Sequence, residues 1–193
     1  MINRNVPSLA ILSAFLLITA PALAALPNAH SAAAARDLGA KHAAGQTELK
    51  AFQQIKISID DAIATAESAR GGIVIDARFE ISKGKPVYRV KTCRDYSVWE
   101  GTIDAQTGEL IGKGKTTPEA RLDQEKKAEL VGLSQAYTTL PEAMAMAEDR
   151  DAGRAISAGL EEMQGKIVFE VTVVKNASVK KIMIDPQSGQ VVS

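Results

Sequence analysis

The chain has 193 residues, of which 46% are hydrophobic and 24% are charged, and its 23 basic residues balance its 23 acidic ones. This is the composition of an ordinary globular protein. A nucleic-acid-binding surface normally needs a basic excess or a Lys/Arg stripe, because counterion release drives that kind of binding. The sequence has neither, so we expect no nucleic-acid partner.

The first 24 residues have the pattern of an export signal. Arg4 gives a short positive region, and residues 9–20 (LAILSAFLLITA) form a compact apolar run. Ala22 and Ala24 supply small residues at the two positions that signal peptidase reads. The pattern predicts cleavage after Ala24 and a periplasmic or secreted protein. The alternative is an uncleaved membrane anchor, but the apolar run is shorter than the roughly 20 residues of a spanning helix. A lipoprotein anchor is not expected, because the only cysteine is Cys93.

Residues 25–45 are rich in alanine and lack aromatic residues and a sustained apolar face, which predicts a flexible leader. Both histidines, His30 and His42, lie in this leader. No Cys, Asp or Glu is grouped around them at the spacing of metal ligands. We therefore interpret the histidines as incidental and predict no metal site and no cofactor.

The rest of the chain contains an internal repeat with a fixed offset of 81 positions. The segment IDAQTGELIG, which begins at Ile103, returns as IDPQSGQVVS from Ile184. The same offset relates, without gaps, Ala62 and Ala143, Gly72 and Gly153, Ile75 and Ile156, Val90 and Val171, and Ser97 and Ser178. An ungapped match of this length within one chain predicts two copies of one fold.

Each copy contains a predicted helix ahead of its strands. In SIDDAIATAESARGG, Ser58 is the expected N-cap, Asp60 and Asp61 suit the positive end of the helix dipole, and the glycines at 71–72 end the helix. The equivalent segment TLPEAMAMAEDRDAG starts with Thr139 as its cap.

Three predicted strands follow each helix. The apolar residues change to a period of two from Ile73, and KGK at 83–85 and QGK at 164–166 predict hairpin turns. The third strands, 98–103 and 179–184, follow the turns RDYS and KNAS. We therefore predict an α+β fold of two tandem modules, each a helix packed on a small antiparallel β-meander.

The repeated ending of each copy predicts a turn. Asp104 follows the last apolar residue of its strand and can accept backbone N–H groups, while Gly108 supplies the positive φ with which the chain re-enters the sheet. Asp185 and Gly189 hold the same positions in the second copy. A cation-binding interpretation would need further oxygen ligands, and the sequence offers none.

The repeat also sets the predicted boundaries. The first module spans 46–113 and the second 127–193, and each starts with a shorter helix. A domain of about 65 residues buries only about 60% of its unfolded surface, so we expect the two copies to support each other. Residues 114–126 are charged, contain a proline and lack apolar periodicity, which predicts a solvated linker.

These features resemble the PepSY family. The helix ISIDDAIATAE, the strand KPVYRV and the ending IDAQTGELI are similar to a PepSY domain, and TLPEAMAMAE with IDPQSGQVV resembles a second one. The resemblance covers residues 46–193 and implies a cystatin-like helix-on-sheet module without catalytic residues. PepSY modules occur in propeptides of thermolysin-like metalloproteases, so the resemblance implies inhibition or chaperoning of a secreted protease. Because the chain has no HExxH sequence, that action would occur in trans.

The two copies differ most on one predicted surface of the first module. Arg89 and Lys91 lie on one side of its second strand, with Tyr96 and Trp99 close by, and these four are candidate partner-binding residues. The second copy has Glu170, Thr172, Ala177 and Lys180 at those positions. Trp99 is a candidate interface anchor, and the alternative is that it covers the core or the junction between modules.

Cys93 is a lone cysteine in a predicted oxidising compartment, so it either pairs with a second chain or stays an inert thiol. Its counterpart in the second copy is Val174. An apolar residue at the equivalent position favours a semi-buried, inert thiol.

The sequence predicts a binding protein and no enzyme. It contains no GxSxG or CxxC motif, and GKGK at Gly112 is too short for a phosphate loop. One hypothesis is an exported binding or inhibitory protein that presents a sheet edge or face to a protein partner such as a secreted protease. The alternative is a periplasmic sensor or assembly subunit that binds a small ligand or a membrane protein through a cleft between the modules.

Overall fold

The structure is a computed structural model and describes residues 45–192. A helical segment, α1, includes residues 45–52. The further elements are α2 (Ile59–Arg70), β1 (Ile73–Ser82), β2 (Lys85–Arg94), β3 (Ser97–Asp104), β4 (Leu110–Thr117), α3 (Gln124–Leu133), α4 (Leu140–Asp151), β5 (Arg154–Met163), β6 (Lys166–Lys175), β7 (Ser178–Ile184) and β8 (Val191–Val192). The predicted signal peptide and cleavage site, with His30 and His42, lie outside the described residues.

All eight strands form one antiparallel sheet in the order β4-β3-β2-β1-β5-β6-β7-β8. The two halves of the sheet join where β1 pairs with β5 through Asp76–Gly159, Ala77–Ala158 and Arg78–Ser157. The α+β prediction is confirmed, but the strands form a single sheet instead of two separate meanders. Unpaired, β1 and β5 would each expose an edge of backbone N–H and C=O groups, and their pairing removes both edges.

The elements repeat at the offset found in the sequence. Helix α4 lies 81 positions after α2, and β5 and β6 lie 81 positions after β1 and β2. Each half therefore places a long helix before a hairpin and a third strand.

Both long helices begin with a capping box. The Ser58 hydroxyl accepts a hydrogen bond from the Asp61 N–H at 3.1 Å, and the Asp61 carboxylate accepts one from the Ser58 N–H at 2.9 Å. Thr139 and Glu142 form the same reciprocal pair at the start of α4. These bonds satisfy N–H groups that have no partner within the helix, so α2 and α4 begin at the predicted caps.

The helices pack on one face of the sheet, which we call the helix-covered face. The Phe52 ring of α1 contacts the Phe79 ring of β1 edge-on, with centroids 5.4 Å apart. The Tyr88 hydroxyl of β2 donates to the Ile57 carbonyl just before α2 at 2.8 Å. Buried side chains of both halves form one core cluster that includes Ile63, Ala66, Val90, Ile103, Met144, Ala147, Val171 and Ile184.

The connection between the halves is shorter than the predicted linker 114–126. Residues 114–117 continue β4, which pairs with β3, and α3 begins at Gln124. Strand β4 lies at the edge of the sheet with most of its side chains exposed, so its sequence lacks the apolar alternation that marks a half-buried strand.

Candidate functional site

The face opposite the helices carries most of the charged strand residues, and we call it the charged face. Cross-strand partners share a face in an antiparallel sheet, so the register identifies its members. They include Asp76, Arg78 and Glu80 of β1, Arg89 and Lys91 of β2, Glu100 of β3, Lys115 of β4, Glu161 of β5, Glu170 of β6 and Lys181 of β7. The structure thus brings the predicted residues Arg89 and Lys91 onto the centre of this face.

Arg89 connects three strands of the charged face. Its Nε lies 2.6 Å from Glu80 Oε1, and its Nη1 lies 2.9 Å from Glu100 Oε1. These two hydrogen bonds, the one to Glu80 first, raise the pKa of the Arg89 guanidinium. The side chain is 31% exposed, so a held and oriented cation faces the surroundings.

Lys91 lies beside Arg89 and faces the junction of the two halves. Its Nζ is 3.7 Å from Asp76 Oδ1, a buried oxygen that accepts no hydrogen bond from the described residues. The Asp76 carboxylate lies close to Gly159 of β5, which has no side chain to fill the space. A Cβ on Gly159 would lie 3.1 Å from Asp76 Oδ2.

The second half carries the same ion pair with its charges exchanged. Glu170 and Lys181 lie 81 positions after Arg89 and Glu100, and Lys181 Nζ is 2.8 Å from Glu170 Oε1. The charged face therefore presents a cation at the centre of its first half and an anion at the equivalent place in its second half. Sequence comparison alone missed the role of Glu100, because its partner lies on a neighbouring strand.

Trp99 lies on the helix-covered face and is only 4% exposed. Its indole N–H donates to the Lys113 carbonyl at 3.2 Å. Two glycines make room for the ring, since a Cβ on Gly101 would lie 2.1 Å from Trp99 Cη2 and one on Gly114 would lie 2.4 Å from Trp99 Nε1. Trp99 therefore covers the core between β3 and β4 and is not an exposed interface anchor.

Tyr96 and Cys93 lie at the end of the β2–β3 hairpin. Tyr96 occupies the turn with a φ of 54° and is 49% exposed. Cys93 is half-buried on the charged face, where it pairs with Ile73 and Val98. Burial raises the pKa of the Cys93 thiol. Of the four predicted partner-binding residues, Arg89, Lys91 and Tyr96 are thus accessible.

The two repeated endings have the same turn geometry. Asp104 Oδ1 accepts hydrogen bonds from the N–H groups of Gln106 and Thr107 at 2.8 and 3.1 Å. Asp185 Oδ1 does the same for Gln187 and Ser188 at 2.7 and 3.0 Å. Gly108 and Gly189 follow with φ of 76° and 67°. The carboxylates stabilise the turns through these backbone bonds.

A cleft of about 320 Å³ lies between β2, β3 and β4 of the first half and residues 121–126, which run into α3. A depression of about 120 Å³ lies beside Asp76 and Gly159, well below the roughly 300 Å³ at which small-molecule sites begin. The sensor hypothesis, with a ligand in a cleft between the modules, stays a prediction.

From residue 45 to residue 192, no three His, Cys, Asp or Glu side chains are grouped so that they could hold a metal ion. In the same part of the chain, no helix is both long and apolar enough to cross a membrane.

Comparison with known proteins identifies one domain. The model of the PepSY family, described as "Peptidase propeptide and YPEB domain", matches residues 56–113. The segment that is similar to a PepSY domain extends from just before α2 into β4. PepSY domains mediate protein interactions, and this propeptide type of domain is generally not catalytic.

Neither the curated proteins nor the solved structures assign a further family to the chain. No curated protein matches the chain. Among solved structures, the chain is similar to the crystal structure of a candidate lipoprotein from Clostridium difficile 630, with 21% identity and a TM-score of 0.40. That match covers 72% of this chain and 93% of the other.

Proposed function

We propose that this protein is an exported, non-catalytic binding protein with two PepSY-type modules, 46–113 and 127–193, and that it binds a protein partner through the charged face of the first module. The observation that carries the proposal is that the PepSY match and the part of the charged face that holds Arg89 and Lys91 lie on the same strands, β1, β2 and β3. The offset of 81 between the elements of the two halves supports the second module.

The charged face suits a protein partner. Arg89 is held by two carboxylates, so it can contact a partner without first losing its conformational freedom. Arg and Tyr are enriched at the energetic centres of protein interfaces, and Tyr96 lies exposed at the end of the adjacent hairpin. The outer edge of β4 provides free backbone groups with which an extended segment of the partner can pair.

A secreted protease is the partner class that we propose. The matched family is described as a peptidase propeptide domain, and a propeptide binds the protease that it accompanies. The chain has no protease motif of its own, so the interaction would join two separate proteins. If residues 1–24 act as an export signal, this protein would meet such a protease outside the cytoplasm.

Affinity capture from periplasmic and secreted extracts, with residues 25–193 as bait, tests the proposal. The informative variant is Arg89→Glu with Glu100→Lys. It puts the negative charge on β2 and the positive charge on β3, as Glu170 and Lys181 do on β6 and β7. Residue 89 can still pair with residue 100 in this variant, but Glu80 loses its cation. Circular dichroism of the variant must therefore match that of the wild type before loss of capture is attributed to charge. We expect the wild-type protein to retain a protease and the variant to release it.

The matched control exchanges the charges in the second half, as Glu170→Lys with Lys181→Glu. This control should capture the protease as well as the wild type does. Equal capture by all three proteins would refute the face assignment. Capture of other proteins without any protease would refute the partner class and leave the binding role intact.

A further inference from the structure

A second surface, at the C-terminal end of α2, has the composition of an anion-binding site. A cleft of about 490 Å³ lies between the end of α2, the β2–β3 hairpin and β4. Its lining includes Arg70, Thr92, Arg94, Ser97, Trp99 and Thr116. The volume lies within the range of small-molecule sites.

Two arginines in this cleft keep most of their hydrogen-bond donors available. Arg94 lies over Gly71, whose added Cβ would be 3.6 Å from Arg94 Nη1. Its Nε is 3.8 Å from Asp95 Oδ2, which is beyond hydrogen-bond distance, and both side chains are mostly exposed. Arg70 donates one hydrogen bond, from Nη2 to Thr116 Oγ1 at 3.1 Å. Each guanidinium has five N–H donors, so this pair can hold further acceptors.

The surroundings of the arginines favour an anion. Thr92 and Trp99 form a buried wall, being 1% and 4% exposed, and such a wall strengthens a nearby charge interaction by excluding water. The C-terminus of α2 contributes about half a negative charge, and Asp95 adds one more. The two positive charges of Arg70 and Arg94 exceed these negative charges, so the cleft carries a net positive charge.

The second half contains an equivalent cleft that is smaller and is lined by two lysines instead of two arginines. A cleft of about 320 Å³ is lined by Asp151, Val173, Lys175, Asn176, Ser178 and Lys180. These residues lie 81 positions after Arg70, Thr92, Arg94, Asp95, Ser97 and Trp99, respectively. Here Lys180 Nζ forms an ion pair with Asp151 Oδ1 at 2.7 Å. Lys180 is therefore paired, Lys175 keeps a second cation in the cleft, and Val173 replaces the threonine hydroxyl.

We infer that the cleft at the end of α2 binds a small molecule through an oxyanion group, a carboxylate or a phosphate, held by Arg70 and Arg94. This site lies on the helix-covered side and shares no residue with Arg89 and Lys91, so it goes beyond the proposed partner binding. The second half serves as an internal comparison, because the same backbone there carries a self-neutralised pair.

Titration calorimetry at constant ionic strength, with inorganic phosphate and with citrate as separate probes, tests the inference. The site variant is Arg70→Gln with Arg94→Gln, and the control is Lys175→Gln in the equivalent cleft. Loss of charge-assisted hydrogen bonds should weaken binding by about tenfold or more in the site variant. The control should bind as the wild type does. Binding of one probe only would identify its group, phosphate or carboxylate, as the ligand chemistry.

Backbone amide NMR shifts during the titration locate the site independently of any variant. We expect the largest shifts at the amides of Gly71, Thr92 and Arg94, which line the cleft. No binding of either probe up to about 10 mM would overturn the inference. Shifts confined to residues 175–180 would also overturn it, as would equal affinity in the site variant.

Discussion

Ala77 pairs with Ala158 in the centre of the sheet, and each residue is the other's equivalent at the offset of 81. Equivalent residues face each other in an antiparallel pair only where a twofold axis passes between them. The two halves are therefore related by a local twofold axis perpendicular to the sheet. This relationship puts α2 and α4 on the same face and continues the charged face across both halves.

Because one sheet and one core join the halves, we expect them to unfold together. Ile184 is fully buried in the second half, and Ile184→Ala should cost about 2–5 kcal/mol of unfolding free energy. Urea unfolding should be followed by circular dichroism, which reports on both halves, and by the fluorescence of Trp99, which lies in the first. Both midpoints should shift by the same amount.

The control for this experiment is Val179→Ala, since Val179 is 49% exposed and its truncation should change little. A fluorescence midpoint that stays at the wild-type value in Ile184→Ala would show that the halves unfold independently.

Gly101 is required for its small size. A Cβ there would lie 2.1 Å from Trp99 Cη2, so Gly101→Ala must displace the buried indole. We expect a loss of about 1–3 kcal/mol in urea unfolding, together with a red-shifted Trp99 emission. Gly45→Ala is the matched control because nothing lies within 4 Å of its added Cβ. Unchanged stability in Gly101→Ala would contradict the packing described for Trp99.

The helix caps predict a loss of stability in acid. Hydrogen bonds from the Ser58 hydroxyl and backbone hold the pKa of Asp61 below its ordinary 3.8, and the Thr139 backbone and hydroxyl lower the pKa of Glu142 below 4.5. The folded protein thus binds these protons more weakly than the unfolded chain does. The stabilisation is present above the ordinary pKa values and is lost as the pH falls through the lowered ones.

Urea midpoints measured at decreasing pH check this linkage. Below about pH 4, Asp61→Asn should lose less stability than the wild type, because it has no carboxylate to protonate. Asp95→Asn, at a side chain that is 94% exposed, is the control and should follow the wild-type profile. Identical profiles for the wild type and Asp61→Asn would rule out the cap as a source of acid sensitivity.

Cys93 should react slowly with thiol reagents. Burial is the main cause of the raised pKa of this thiol, and a raised pKa reduces the reactive thiolate at neutral pH. Alkylation by iodoacetamide at pH 7.5 should be about tenfold slower in the folded protein than in urea, where the thiol is exposed. A disulfide-linked dimer in the purified protein, or equal rates in both states, would show that Cys93 is accessible.

Local patterns in the sequence were enough to predict several elements. The caps at Ser58 and Thr139, the hairpin turns and the Asp–Gly endings depend on hydrogen bonds between residues a few positions apart. Such contacts depend on neighbouring residue types and on the period of apolar residues, both of which a single sequence displays. The offset of 81 was likewise visible, since it compares the chain with itself.

The contacts between distant segments required the tertiary structure. The pairing of β1 with β5 is made by backbone groups. Because every residue carries them, no side-chain pattern predicts this pairing. The burial of Trp99 depends on Gly101 and on Gly114. Gly114 lies in β4, a strand whose sequence has no apolar period, so the sequence did not predict this contact. Strand register decides which side chains pair with Arg89. The position of α2 on the sheet brings Arg70 and Arg94 into one cleft. Both the register and the helix position are set by the packed core as a whole.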